Sequence, residues 1–150
     1  MKKIILIAAM ALGFVVTAAA QPRAIGIRGG YGLEVSYEHT VGDSNFFEAD
    51  LGLYGFSAIN VGATYNWMLL QPQWSDRGEW GVYAGPGANL GVGFNGWFNV
   101  AVCGQVGLEY TFWFPLQLSL DIRPSLGFST GDKPFYFGGF YPAVGIRYRF

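Results

Sequence analysis

The chain has 150 residues, of which 51% are hydrophobic, 18% aromatic and only 13% charged, with 23 glycines. One domain fits that length, and a soluble domain ordinarily carries about 25% charged residues, so much of this surface is built to face something other than water. The net charge of −1 comes without a basic patch or tail, which excludes nucleic acid as a partner, and the single cysteine, Cys103, excludes an internal disulfide framework.

Met1, Lys2 and Lys3 form a basic start, Ile4 to Val16 an apolar core, and Ala18, Ala19 and Ala20 a small-residue cleavage pattern before Gln21. Residues 1–20 are therefore expected to be a cleaved secretory signal peptide, with 21–150 as the mature domain. No cysteine lies near the cleavage site, which argues against a lipoprotein. Without Lys2 and Lys3 the mature chain holds seven basic and ten acidic residues, a net charge of −3. It contains no run of about 18 apolar residues, so helical spans are not expected in it.

The remaining sequence alternates with a period of two, the signature of strands with one apolar and one polar face. A first short strand is expected near Ala24–Arg28, with Ile25 and Ile27 on one face, followed by a tight turn through Gly29, Gly30, Tyr31 and Gly32. The second, Leu33 to His39, sets Leu33, Val35 and Tyr37 against Glu34, Ser36 and Glu38. After a turn at Val41–Asn45 the third runs from Phe47 to Tyr54, with Phe47, Ala49, Leu51 and Leu53 out and Glu48 and Asp50 in. Gly55 to Ala58 is a loop, and the fourth strand, Ile59 to Leu69, alternates cleanly. A polar connection, Gln71 to Arg77, leads to the fifth strand, which keeps one phase from Trp80 to Val92. Pro86 within it predicts a bend or bulge. Asn95-Gly96 is a hairpin signal. The sixth strand, Phe98 to about Phe112, is read as the longest.

The seventh strand is the clearest. From Leu116 to Phe128 every even position is apolar (Leu116, Leu118, Leu120, Ile122, Pro124, Leu126, Phe128), while Gln117, Ser119, Asp121, Arg123, Ser125 and Gly127 take the odd ones. Its reach suits a tilted bilayer crossing of roughly 9–11 residues. Ser129 to Phe137 reads as the longest loop. The last strand places Phe140, Pro142, Val144, Ile146, Tyr148 and Phe150 on one face and Arg147 and Arg149 on the other.

Eight strands with hairpin-length connections close into a barrel, and closure removes the edges that lipid does not tolerate. The fold class is all-β, an eight-stranded antiparallel up-and-down transmembrane β-barrel. With both termini periplasmic, Tyr37, Phe47, Tyr65, Trp67, Trp80, Tyr110, Phe112, Tyr148 and Phe150 fall at one level as an aromatic girdle. The opposite ends carry Phe94, Phe98, Phe128 and Phe140. A soluble barrel would need a Lys/Glu-rich exterior, whereas the polar face here is mostly Gly, Asn, Ser and Thr. The inward charges are Arg28, Glu34, Glu38, Glu48, Asp50, Glu109, Asp121, Arg123, Arg147 and Arg149. They read as a paired plug rather than a water channel, because eight strands enclose a lumen that side chains just fill.

These residues resemble the small eight-stranded outer-membrane β-barrel proteins of Bacteroidetes-type bacteria. The resembling pieces are Ala24–Arg28, Glu48–Gly52, Tyr83–Gly87, Pro115–Pro124 and Gly145–Phe150, spread over the whole mature chain. The resemblance implies fold and location and no established reaction. The terminal aromatic pattern, Tyr148 and Phe150, resembles the signal read by the barrel-assembly machinery. The chain departs from the usual barrel plan in that three of its four outer connections are short.

Little here carries catalysis. Gly91-Val92-Gly93-Phe94-Asn95-Gly96 matches a dinucleotide fingerprint as a string, but strand rather than helix follows it. His39 is the only histidine; Ser36, Glu38 and Ser44 lie near it in sequence, as a lipid-modifying enzyme would need. The reading placed first for it is a solvated or interfacial side chain. Cys103 reads as core filler, and no metal or cofactor site is expected. Asp43, Asp76, Glu79 and Asp132 read as solvated turn residues, and Trp74 and Trp97 as candidates for partner contact or interfacial anchoring. The expected protein is a non-enzymatic, monomeric barrel of the bacterial outer membrane with a structural or surface-interaction role. Its partners are outer-membrane lipid and, through the last strand, the assembly machinery. A narrow porin-like channel for small solutes is the second expectation.

Overall fold

Alternating side chains favour extended backbone, and extended backbone must find hydrogen-bonded neighbours on both edges. The computed structural model describes residues 23–55, 57–131 and 134–150. The signal-peptide segment, 1–20, and Asp132 lie outside the described residues. Ten strand segments follow in order: β1 Arg23–Gly29, β2 Gly32–Val41, β3 Asn45–Tyr54, β4 Ala58–Leu70, β5 Glu79–Gly93, β6 Phe98–Thr111, β7 Leu116–Ile122, β8 Ser125–Ser129, β9 Phe135–Phe137 and β10 Pro142–Arg149. From β1 to β7 each pairs antiparallel with its successor, and β10 pairs with both β7 and β1. The circuit is thus a closed, eight-stave antiparallel barrel, with β7 and β8 as two parts of one stave and β9 and β10 as two parts of another.

The seam is held at its end by a reciprocal backbone pair between Arg23 and Phe150, 3.2 and 2.9 Å. Gly26 lets the two strands of that seam meet: a Cβ there would fall 2.6 Å from the Arg147 Cα. The Asn95-Gly96 hairpin forms as expected, with Gly96 at a φ of 93° and its N–H donating to the Gly93 carbonyl.

Four details differ from the sequence expectation. The Leu116–Phe128 strand is interrupted at Arg123 and Pro124, because Pro124 has no N–H to give the ladder; its carbonyl still accepts from Gly104, and the register against β6 is the same on either side. The loop expected over Ser129–Phe137 is shorter, because Phe135 and Phe137 continue the outward apolar face and pair with Phe128 and Leu126. No register change occurs at Pro86: Thr64 faces Gly87 and Trp67 faces Ala84 across it, and the irregularity lies instead between Met68 and Leu70 of β4. Finally β5, at 15 residues, outruns β6 at 14.

The two faces of the wall decide what kind of barrel this is. Val35, Leu51, Val102 and Ile146 are 55%, 46%, 66% and 46% exposed, whereas Glu48 and Asp50 are 0% and 2% exposed. Among the described residues no Val, Leu or Ile is buried; the buried hydrophobics are four alanines, Phe46, Tyr83 and Cys103. The barrel is polar inside and apolar outside, the reverse of a water-soluble ligand carrier. Among the described residues, apart from Arg23 at the first position of β1, no Asp, Glu, Lys or Arg stands on the outward face of the strands.

Candidate functional site in the barrel lumen

The inward charges meet at the waist of the lumen. Glu48 on β3 is the hub: its Oε1 accepts from Arg147 Nη2 at 2.9 Å, Arg123 Nη2 at 3.0 Å and Ser36 Oγ at 3.4 Å, and its Oε2 accepts from Gln105 Nε2 at 3.2 Å. Arg147 on β10 also donates to Ser36 Oγ from Nε (3.0 Å) and Nη2 (2.8 Å), and to Ser119 Oγ from Nη1 (2.8 Å); Nη1 lies 3.0 Å from Glu38 Oε1. Arg123 pairs with Asp50 at 2.7 Å. Arg28 pairs with Glu34 at 2.7 Å and with both oxygens of Asp121, one stave beyond β10. Charge-assisted bonds of this kind offset the cost of burying ions, which is large for any unpaired member.

Uncharged groups complete the plug. Gln117 Nε2 donates to Glu38 and Glu109, both at 2.8 Å, and Thr64 and Asn66 donate to Gln105 Oε1 at 2.7 and 2.9 Å. Phe46 and Tyr83 add an edge-on aromatic contact, centroids 4.9 Å apart. All ten charges read from the sequence lie on the lumen side. Nine take part in the paired network with Gln117, and Arg149 stands apart, donating to Thr111 Oγ1 at 3.1 Å. The sequence reading did not single out Gln105, Gln117 or Asn66, although their inward phase was readable. It also passed over Phe46, whose burial was hidden because its neighbour Phe47 carries the outward signal.

Two cavities flank the waist. At the end holding Arg23 and Arg149, a polar recess of about 240 Å³ is bounded by Glu38, Glu109 and Gln117. At the other end a cup of about 400 Å³ opens between the hairpins, with Arg28, Glu34 and Arg123 at its floor and Tyr31, Tyr54, Trp97 and Tyr136 in its wall.

The nine outward aromatics named from the sequence cluster on the terminus side of the wall. Trp80 and Tyr110 are 4.7 Å apart, Tyr110 and Phe112 4.6 Å, Tyr65 and Trp67 5.6 Å, and Tyr148 and Phe150 6.3 Å. Phe47 stands opposite Tyr65 in the ladder, and the Tyr37 hydroxyl is 3.1 Å from His39 Nδ1. The structure adds two residues to this band. Trp74 packs at a tilt 5.5 Å from Trp80, and Trp113, not singled out from sequence, packs on Phe112 and lies under Arg77. At the opposite end Phe128 meets Phe135 and Phe137 meets Phe140.

His39 stands on the outward face, while Ser36 and Glu38 point into the lumen, so the three are separated by the wall. Cys103 is buried in the lumen as a free thiol. Among the described residues no group of three or more His, Cys, Asp or Glu could hold a metal ion. No protein-family model, curated protein or solved structure matches the sequence.

Proposed function

We propose that this chain is an integral outer-membrane β-barrel of non-enzymatic, structural or surface-interacting character. The observation that carries the reading is the outward face: every stave presents Val, Leu, Ile, Phe or Ala there, and Arg23 is its only Asp, Glu, Lys or Arg among the described strands. An apolar surface of that extent, far beyond the few hundred Å² usual on a soluble monomer, calls for lipid. The band of Trp and Tyr at one end suits the level of the headgroups. The resemblance to small Bacteroidetes-type barrels and the leader-like start at residues 1–20 support the same location. The filled waist favours a plugged barrel over a narrow channel.

In this reading the termini are periplasmic, the cup faces outward from the cell, and the protein is a monomer in lipid. Tyr148 and Phe150, on the outward face of the strand that closes the barrel, are the contact for the assembly machinery. The test is gel mobility of the outer-membrane fraction, unboiled against boiled. The wild type is expected there with a heat-dependent shift, and Phe150→Asp is expected at a lower level of shifted barrel. A soluble periplasmic protein with no shift refutes the membrane reading; an unchanged level for Phe150→Asp refutes the role of that residue alone.

A further inference from the structure

The outer cup differs from the waist in being left open by small inward residues. Gly91 and Gly62 make room for carboxamides. A Cβ at 91 would fall 2.7 Å from both Asn99 Oδ1 and Nδ2, and one at 62 would fall 2.6 Å from Asn89 Oδ1. Asn60, Asn89 and Asn99, on three adjacent strands, thus line one side of the cup. Each planar amide offers two donors and an acceptor. At the mouth, Tyr31 sits 5.4 Å from Tyr54 and 5.3 Å from Tyr141, forming a continuous aromatic wall.

The floor carries two guanidiniums, yet it is not a cationic site. Arg28 is held by Glu34 and Asp121, and Arg123 by Glu48 and Asp50, so four carboxylates face two cations. A phosphate or carboxylate entering the cup would have to break those pairs and would meet Glu34. Two polar atoms of cup-lining residues have no protein partner although buried: Asn89 Oδ1, an acceptor, and Arg123 Nε, a donor whose side chain is only 7% exposed. Above a floor whose carboxylates outnumber its cations and turn anions away, the uncharged donors, acceptors and aromatic faces of the wall match a ring bearing hydroxyls on its edge and C–H groups on its face.

We propose that the cup binds a neutral sugar of mono- or disaccharide size. Its ring stacks on the tyrosine wall, and its hydroxyls bond the amides of Asn60, Asn89 and Asn99. A volume of about 400 Å³ lies within the span of small-molecule sites. The proposal goes beyond the membrane reading, since the cup is offered in detergent whichever way the barrel faces.

The experiment is saturation-transfer NMR and equilibrium titration of the refolded, detergent-solubilised protein with cellobiose, beside glucuronate and inorganic phosphate. Saturable cellobiose binding is expected, weakened by roughly tenfold or more in Asn99→Ala and in Tyr31→Ala, with the two anions binding less tightly. Each variant is first checked for the heat-dependent gel shift, so that a folding defect is seen as such. No saturable binding by a protein that shows the shift overturns the sugar site and leaves the membrane reading standing. Binding that neither substitution weakens overturns its placement in the cup. Tighter binding of glucuronate or phosphate overturns the neutral class.

Discussion

The waist and the outer cup are lined by the same face of the same strands, yet one is filled and the other hollow. At the waist the inward positions hold Glu48, Tyr83, Gln105 and Arg147, all essentially inaccessible. Further along the same staves they hold Ala58, Gly91, Ser125 and Ala143. Eight strands enclose a lumen whose width is set by their number and stagger, not by its contents. The size of the inward residue therefore decides whether a given level becomes core or cavity. The comparison also separates two uses of polarity. Waist cations and carboxylates bind one another, while the cup presents the amides of Asn60, Asn89 and Asn99 to an open volume.

The strongest way to break this contrast is to remove the waist cation. Arg147→Ala leaves Glu38 and Glu48 short of their shared partner, and breaking a buried pair in this way costs about 3–5 kcal/mol. Urea unfolding of the refolded barrel in detergent measures it, and a loss under about 1 kcal/mol would mean that water reaches the waist. A second test asks whether the waist is the barrier between the two cavities. The wild type is expected to show no current steps in a planar bilayer, and Tyr83→Ala combined with Gln105→Ala is expected to open a small conductance. Steady conductance by the wild type would instead favour the channel reading. The smallest effect is expected in the cup. Asn89→Ala removes an acceptor with no protein partner, so its stability should stay within about 1 kcal/mol of the wild type. A loss as large as that of Arg147→Ala would show that the cup is structural core.

Much of this was legible because a strand's side-chain period is two. Glu34, Ser36 and Glu38 had to share a face once Leu33, Val35 and Tyr37 shared the other, and the structure keeps that division on all eight staves. Alternation says nothing of which inward groups touch. The bonds from Arg28 to Asp121 and from Arg147 to Ser36 join residues 93 and 111 positions apart, on staves that only closure of the seam sets one stave apart. Local chemistry misled in part at Pro86: of the bend or bulge expected there, the register shows no bulge. The lost N–H is tolerated in register, and Gly85 lets β4 approach, since a Cβ there would fall 2.7 Å from the Tyr65 carbonyl carbon. It misled again at Pro124, where perfect alternation concealed a break.

The sequence by itself determined the two faces, the strand count and the scarcity of charge on one of them, because those follow from composition and from a period fixed by backbone geometry. The direction of the polar face was argued from the aromatic positions, but only the tertiary structure decided that Glu48 is the hub of the plug, and that glycines and asparagines from three adjacent strands leave a cup above it. Inside and outside are properties of a closed surface. No single strand carries them until the first has paired with the last.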